Sequence, residues 1–330
     1  MKNFFITGGA GYVGSHCAIS LINNGYKPII LDNFSNSYQS TIKNLETITN
    51  KKITFYNVDI RDKKKLKSIM KKHSCYAVIH CAGSKSVFES VKKPIDYFDN
   101  NIGSTLSLLE CMKESNVFKL IFSSSANLYN EKQILPLKET SKIGNTKNPY
   151  GNTKYIIERI LMDLVKSDNR WSIRIARYFN PISNHSSGLI KENPIGIPNN
   201  LVPCIIKVAQ KKIPLLKIFG KNYKTKDGTG IRDYIHVMDL AEGHVAMIKN
   251  NRLKKGLKIY NFGTGKGSSV LEVIKLFEKQ TGIPISFKFT KRREGDVAAS
   301  YCSPKKALKE LNWKNKYDLK QAMMDIKKIL

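Results

Sequence analysis

The chain has 330 residues, 41% of them hydrophobic, which allows a substantial core in one large or two moderate domains and excludes default disorder. Its 56 Lys and Arg against 26 Asp and Glu give a formal charge of +30, but the lysines are scattered. Runs such as Asp62-Lys63-Lys64-Lys65-Leu66-Lys67 lack the interleaved aromatics on which bases stack, so no nucleic-acid partner is expected.

From the N terminus, Met1 to Thr7 holds an apolar run too short for a signal peptide. No later stretch approaches the ~20 apolar residues of a membrane span, so a cytoplasmic protein with no membrane partner is expected. The cysteines Cys17, Cys75, Cys81, Cys111, Cys204 and Cys302 form no C-x-x-C pair, which indicates neither a zinc site nor a disulfide framework. Short apolar runs alternate with helix-length segments: Phe4 to Thr7, Pro28 to Asp32, Ile53 to Asp59, Ala77 to His80, Lys119 to Ser123 and Ser172 to Tyr178. Runs of that length between helices predict buried parallel strands in repeated βαβ units. From about Pro181 the alternation fades into loops rich in Gly, Pro and Asn, such as Gly196-Ile197-Pro198-Asn199-Asn200. The expectation is an α/β protein. A Rossmann-type doubly wound parallel sheet spans residues 1–180, with some later segments returning to it, and a smaller mixed α/β domain binds substrate over 181–330.

Gly263-Thr264-Gly265-Lys266-Gly267-Ser268 has the wrong order for a phosphate loop. Ser269 and Glu272 instead form a capping-box pair that predicts a helix start. His236 and His244 lie apart without a carboxylate pattern for zinc and are read as structural, so no metal is expected.

The first strand runs into Thr7-Gly8-Gly9-Ala10-Gly11-Tyr12-Val13-Gly14. Gly8 and Gly11 permit a tight turn and close approach of the backbone to a pyrophosphate, and Gly14 lets helix and strand pack. Asp32 ends the second strand where a carboxylate can bind ribose hydroxyls and repel a 2′-phosphate, which predicts NAD rather than NADP. In Asn148-Pro149-Tyr150-Gly151-Asn152-Thr153-Lys154, a helix starting at Pro149 stacks Tyr150 and Lys154 one turn apart. An ammonium about 4 Å from the phenolate is worth roughly 4 kcal/mol at an effective dielectric of 20, which would lower the phenol pKa by nearly three units before desolvation is subtracted. The same spacing also arises on helices with no chemistry attached. Beside the dinucleotide fingerprint the acid/base reading leads.

These residues resemble the extended short-chain dehydrogenase/reductases and, within them, the UDP-glucose 4-epimerases. The resemblance covers nearly the whole chain. It includes Leu31-Asp32-Asn33 with Asn36-Ser37, Asp59-Ile60, Ile79-His80-Cys81-Ala82-Gly83 with Lys85, Asn100-Asn101, Phe122-Ser123-Ser124-Ser125-Ala126 and Arg177-Tyr178-Phe179-Asn180-Pro181. In the second half it rests on Ile197-Pro198-Asn199-Asn200-Leu201, Asp227-Gly228-Thr229-Gly230, Arg232-Asp233-Tyr234-Ile235-His236 and Arg292-Arg293-Glu294-Gly295-Asp296.

The resemblance implies that Tyr150 takes the proton from the sugar 4′-hydroxyl while hydride leaves C4′ for NAD. Ser125 hydrogen-bonds the same oxygen, Lys154 holds the nicotinamide ribose, and the 4-keto sugar turns over before reduction. It implies a cofactor set of Gly8, Gly11, Tyr12, Val13, Gly14, Asp32, Asn33, Phe34, Ser35, Asn36, Ser37, Asp59, Ile60, Cys81, Ala82, Gly83, Ser84, Lys85, Asn100, Ser125, Tyr150, Lys154 and Phe179. For the UDP-sugar it implies Ser125, Tyr150, Asn180, Asn200, Leu201, Lys217, Ile218, Phe219, Arg232, Arg293, Asp296 and Ser300. Arginine supplies bidentate donors to the diphosphate and Asp296 accepts ribose hydroxyls. A homodimer through helices near residues 95–113 and 150–167 is also implied.

The chain departs from the family at four places. Cys81 stands where Phe is common, Asn127-Leu128 replaces Thr-Val and reads as a packing change, and Phe88 replaces a small residue. Ser300 takes the place of a bulky Tyr that excludes N-acetyl sugars, which predicts room for UDP-N-acetylglucosamine and UDP-N-acetylgalactosamine. A 4,6-dehydratase would need an acid and a base after the serine, where this chain has Ala126-Asn127. A 4-reductase or a dehydrogenase remains open on the cofactor motifs alone; a non-catalytic NAD-binding regulator is disfavoured by the intact Ser125, Tyr150 and Lys154.

Overall fold

The computed structural model describes residues 1–130, 133–196, 198–249, 253–293 and 296–330; Ile197, Glu294 and Gly295 of the motifs above lie outside them. The chain divides into two compact units. The first comprises Met1–Asn130, Lys142–Arg177 and Ala241–Tyr260, and the second Glu131–Ser141, Tyr178–Leu240 and Asn261–Leu330.

The first unit begins β1 (Asn3–Thr7), α1 (Tyr12–Asn23), β2 (Lys27–Asp32), α2 (Ser40–Thr49), β3 (Thr54–Asn57), α3 (Lys63–His73) and β4 (Cys75–His80). It continues with α4 (Val87–Lys92), α5 (Pro94–Phe98), a π-turn at Asp99–Gly103, α6 (Ser104–Glu114), β5 (Lys119–Ser125), α7 (Pro149–Ser167) and β6 (Ser172–Tyr178). In the second unit lie β7 (Asn180–Ile182), α8 (Leu201–Ala209), β8 (Leu216–Phe219), β9 (Ile231–Arg232) and β10 (Tyr234–His236). After α9 (Val237–Ile248), β11 (Gly256–Phe262) returns to the first sheet, and the chain ends with β12 (Ser268–Ser269), α10 (Val270–Thr281), β13 (Phe287–Thr290), β14 (Ala299–Ser300), α11 (Lys305–Leu311) and α12 (Leu319–Lys327).

The large sheet has seven strands in the order β3-β2-β1-β4-β5-β6-β11, and the pairs β3/β2, β2/β1, β1/β4 and β4/β5 are parallel. This is the doubly wound, Rossmann-type arrangement, with its switch of direction between β1 and β4. Continuous apolar runs form these strands because both faces are covered by helices: Phe4, Phe5, Ile6, Ile29, Ile30, Val78 and Ile79 are all 0% exposed. The third strand stops at Asn57, short of the expected Asp59, because the Asp59 carboxylate accepts from the Arg61 amide at 2.9 Å and turns the chain.

The second unit uses short strands, paired β10/β7 and β13/β8, with β12-β9-β14 as a third small sheet. Its core gathers Ile182, Val202, Ile205, Leu216, Ile218, Val273, Phe277, Met323 and Ile326. The expected capping box opens α10: Ser269 Oγ accepts from the Glu272 amide at 3.1 Å while Glu272 Oε2 accepts from the Ser269 amide at 2.9 Å. Among the described residues no helix is long and apolar enough to cross a membrane.

Candidate active site

The switch point collects the glycine loop. Gly8 takes φ +65°, and a Cβ there would stand 2.7 Å from the Ala82 amide nitrogen in the turn after β4. A Cβ on Gly14 would stand 2.2 Å from the Gly8 carbonyl oxygen, so only glycine lets α1 start this close to β1. Gly11 caps α1 with no side chain over its first turn, which leaves Tyr12 and Val13 at an open, positively polarised helix end. This cradle of bare backbone fits the pyrophosphate of a dinucleotide.

Asp32 is buried at the end of β2. Its Oδ2 accepts from the Ala10 amide at 2.9 Å, and its Oδ1 accepts from the Phe34 amide and from Ser37 Oγ, each at 2.9 Å. The carboxylate therefore braces both the glycine loop and the Asn33–Ser37 turn, with its remaining lone pairs available to hydroxyls. Asn33 donates to Asp59, whose carboxyl is lowered to about 2 chiefly by hydrogen bonds from Arg61. Ser35 donates to Asn33, Asn36 is exposed, and the Ile60 side chain lies in the core. After β4, Asn101 Oδ1 accepts from the Ser84 amide at 2.7 Å while its Nδ2 donates to the Ser84 carbonyl and to Thr153 Oγ1, both at 3.0 Å. Asn100 reaches Ser84 Oγ, and the exposed Lys85 lies over the Tyr12 ring at 5.7 Å. Gly83 at φ +145° completes this turn.

At the end of β5, Ser125 faces the first turn of α7. That helix starts where the sequence predicts: Asn148 Oδ1 accepts from the Gly151 amide at 2.7 Å and Pro149 occupies its first turn. Tyr150, Lys154 and Glu158 recur every four residues along its inner face, and all three are buried. Glu158 meets the equally buried Arg177 of β6 through two bonds of 2.7 and 3.1 Å, and it accepts from Ser124 Oγ at 2.5 Å. This pair clamps the helix that carries Tyr150.

One sequence expectation is corrected. Lys154 Nζ donates to the Ser123 carbonyl at 2.9 Å and lies 6.0 Å from the Tyr150 ring centroid, so one of its three donors is aimed at the strand and the ammonium is set back from the phenol. Burial raises the Tyr150 pKa, opposed by a hydrogen bond from Ser125, whereas the expected lowering by Lys154 is absent from the causes. Burial also lowers Lys154 to about 8, against the pull of Cys81 and Glu158. Desolvation outweighs the ammonium because both groups are taken from water together.

Asn127 is corrected too. Its amide and its Nδ2 both donate to Ser125 Oγ at 3.2 Å, so it holds the serine hydroxyl and is no packing residue. Its neighbour Leu128 is fully buried and does pack. The available signal was the spacing: a carboxamide two residues after a serine can reach back to it.

In the second unit Arg232, Arg293 and Asp296 come together. Asp296 lies 3.6 Å from Arg232 Nη2 and accepts from Arg293 Nε at 2.9 Å, and Arg293 stacks over Phe219 at 4.6 Å. Ser300 on β14 is the register partner of Arg232, and its carbonyl accepts from the Asp233 amide at 3.1 Å. Lys217 is exposed on β8 while Ile218 turns into the core, so only its backbone is available to a ligand. Asn200 precedes α8 without capping it, bonding Glu192 at 2.9 Å, and Leu201 opens that helix. Asn180 and Phe179 lie where β7 begins; the Asn180 amide donates to the Asp233 carbonyl at 2.9 Å and Phe179 is buried.

The comparisons agree in direction. The GDP-mannose 4,6 dehydratase family model matches residues 5–326. The chain is 47% identical over 325 residues to a UDP-glucose 4-epimerase of Neisseria meningitidis serogroup C, covering 98% of this chain and 96% of that one. It is 47% identical over 320 residues to one from Haemophilus influenzae, covering 97% and 95%. It superposes with TM-score 0.97 on the crystal structure of the Bifidobacterium longum UDP-glucose 4-epimerase in complex with NAD+ and UDP, at 46% identity over 99% of this chain and 98% of that one. The chain belongs to the UDP-glucose 4-epimerase family of extended short-chain dehydrogenase/reductases.

Proposed function

We infer that the protein is an NAD-dependent isomerase that interconverts UDP-galactose and UDP-glucose. The observation that carries this reading is the set Ser125, Tyr150 and Lys154, buried together at the end of β5 and the start of α7 in the unit that also holds the glycine cradle. When bound, NAD supplies a reversible hydride acceptor at the sugar's C4′. Tyr150 Oη removes the proton from the 4′-hydroxyl and later returns it, and Ser125 Oγ donates to the same oxygen. Burial keeps Tyr150 a neutral phenol, so it must first lose its own proton to solvent before it accepts the sugar's, and a cationic nicotinamide bound beside it would favour that loss. Lys154, with donors left beyond the one taken by the Ser123 carbonyl, would hold the nicotinamide ribose. The first unit takes the dinucleotide. In the second, Arg232 and Arg293 take the diphosphate, Asp296 takes the uridine ribose, and Asn180, Asn200 and Leu201 take the rest of the UDP-sugar. Elimination, as in a 4,6-dehydratase, needs a carboxylic acid and a carboxylate after the serine; Ala126-Asn127 offers neither.

Purified protein incubated with UDP-galactose and no added reductant should yield UDP-glucose. No conversion by folded, NAD-loaded protein would defeat the reading. Tyr150→Phe should abolish conversion while NAD stays bound.

Because the small Ser300 stands where the family's bulky residue excludes N-acetyl groups, UDP-N-acetylgalactosamine and UDP-N-acetylglucosamine are substrates as well. Zero turnover of both, beside good turnover of UDP-galactose, would remove this extension. Two copies associate through α5 to α7, where Ile95 and Leu106 expose apolar surface. A monomer mass by light scattering would overturn that assignment.

A further inference from the structure

We propose that Cys17, Cys81 and His244 form a buried site for a thiophilic divalent cation of the zinc type. The Sγ atoms of Cys17 and Cys81 and a ring nitrogen of His244 all lie within 4.8 Å of one another. They come from α1, the turn after β4 and α9, so their wide separation in sequence hides a cluster that only the fold assembles. Zinc binds sulfur at about 2.3 Å and imidazole nitrogen at about 2.0 Å, which puts tetrahedral ligand atoms about 3.5–3.8 Å apart. The cluster therefore needs only a contraction of an ångström or so in its longest separation.

The charge balance suits the place. Cys17 and His244 are 0% exposed, where an unpaired charge would be strongly penalised. Two thiols lose their protons to water as the cation enters, and two thiolates, one neutral imidazole and a +2 ion sum to zero. Support for the ligands is already built: Ser123 Oγ donates to Cys81 Sγ at 3.1 Å, and the thiols of Cys17 and Cys81 hydrogen-bond each other. Other thiols behave differently: Cys75, Cys111 and Cys204 donate to backbone carbonyls. Three protein ligands leave one position open, as in zinc sites that exchange a ligand. Ser123 also connects the cluster to the catalytic set, because its carbonyl accepts from Lys154 Nζ. Loading the site would be felt at that lysine, although the site itself stands whether or not a sugar is epimerised.

Cobalt(II) added to the reduced, full-length protein is the probe. We expect one Co2+ per chain, with thiolate-to-cobalt absorption in the near ultraviolet that Zn2+ abolishes by displacement. Cys17→Ser, Cys81→Ser and His244→Gln should each weaken Co2+ binding by about 100-fold or more, while Cys204→Ser leaves it intact. Circular dichroism confirms that each variant is folded. Because a buried substitution can unfold the chain, the wild type is also alkylated with and without Zn2+ and the modified cysteines are mapped; Zn2+ should protect the partly exposed Cys81 and leave the partly exposed Cys204 unprotected. Absence of the cobalt band from the folded wild type, a band retained in folded Cys81→Ser, or no protection of Cys81 would each overturn the site.

Discussion

Ser125 Oγ receives two hydrogen bonds from Asn127, one from its amide and one from Nδ2, and those fill the oxygen's acceptor positions. Its single proton is thereby left to donate: to the Tyr150 oxygen while no sugar is bound, where the bond opposes the burial-driven rise in the phenol's pKa, and to the 4′-oxygen once the sugar is in place. Asn127→Ala should lower kcat about tenfold, or ~1.4 kcal/mol, with KM for UDP-galactose changed less than about twofold. Steady-state kinetics that show an unchanged kcat, or a loss confined to KM, would deny Asn127 a positioning role. A second residue, His80, predicts a pH effect on stability. It is fully buried, with Nδ1 2.7 Å from Thr7 Oγ1 and Nε2 3.0 Å from Thr105 Oγ1, and burial lowers its pKa from 6.5 to about 3. Between those values the unfolded chain binds a proton that the folded chain refuses, so stability is greatest above pH 6.5 and is lost as pH falls toward 3. From pH 7 to pH 5 His80 alone should remove about 2 kcal/mol, and His80→Gln should flatten that slope in guanidinium denaturation. Equal slopes for the two proteins would refute it.

At the scale of elements, α7 is the part on which the site depends, and its anchor is the Glu158–Arg177 pair, with side chains 0% and 1% exposed. Removing one partner strands a buried charge, so Arg177→Met should destabilise the protein by about 3–5 kcal/mol, while the double variant Glu158→Met, Arg177→Met should recover much of the loss. Denaturant titrations in which the double variant is no better than the single one would contradict this account. The start of α7 was legible because Asn148, Pro149 and the Tyr150/Lys154 spacing are local signals, and β1, β2 and β4 to β6 were legible because strands covered on both faces must be continuously apolar. The clamp was not legible, since nothing local pairs Glu158 with a residue on β6. The sign of the Tyr150 shift was missed for a related reason: the spacing gave Lys154 a place on the right face, but only packing aims its Nζ at Ser123. Strands of two or three residues, such as β9, β12 and β14, carry too little periodicity to be read, although the arginine and aspartate motifs on and beside them were.

For the whole molecule the formal charge of +30 is the largest single electrostatic fact, and it sets a testable direction for salt. Exposed ion pairs such as Lys63–Glu110 and Lys67–Glu114, which tie α3 to α6, contribute little and are weakened by added salt. Repulsion among the 56 basic groups, opposed by only 26 acidic ones, is screened by the same salt and acts over the whole surface. The Debye length shrinks from about 30 Å at 0.01 M to about 8 Å at 0.15 M, less than most separations between scattered lysines, so the repulsive contribution is the one that changes most. Raising NaCl across that range should therefore raise Tm by a few degrees, about 2–4 °C for each kcal/mol of relieved repulsion. Binding should respond oppositely, because the same field attracts a nucleotide diphosphate: KM for UDP-galactose should rise over the range while kcat holds. Thermal scans and initial rates at matched pH measure both. A Tm that falls with salt would mean that the ion pairs outweigh the excess charge, and a KM indifferent to salt would mean that the lysine-rich surface does not steer the substrate at all.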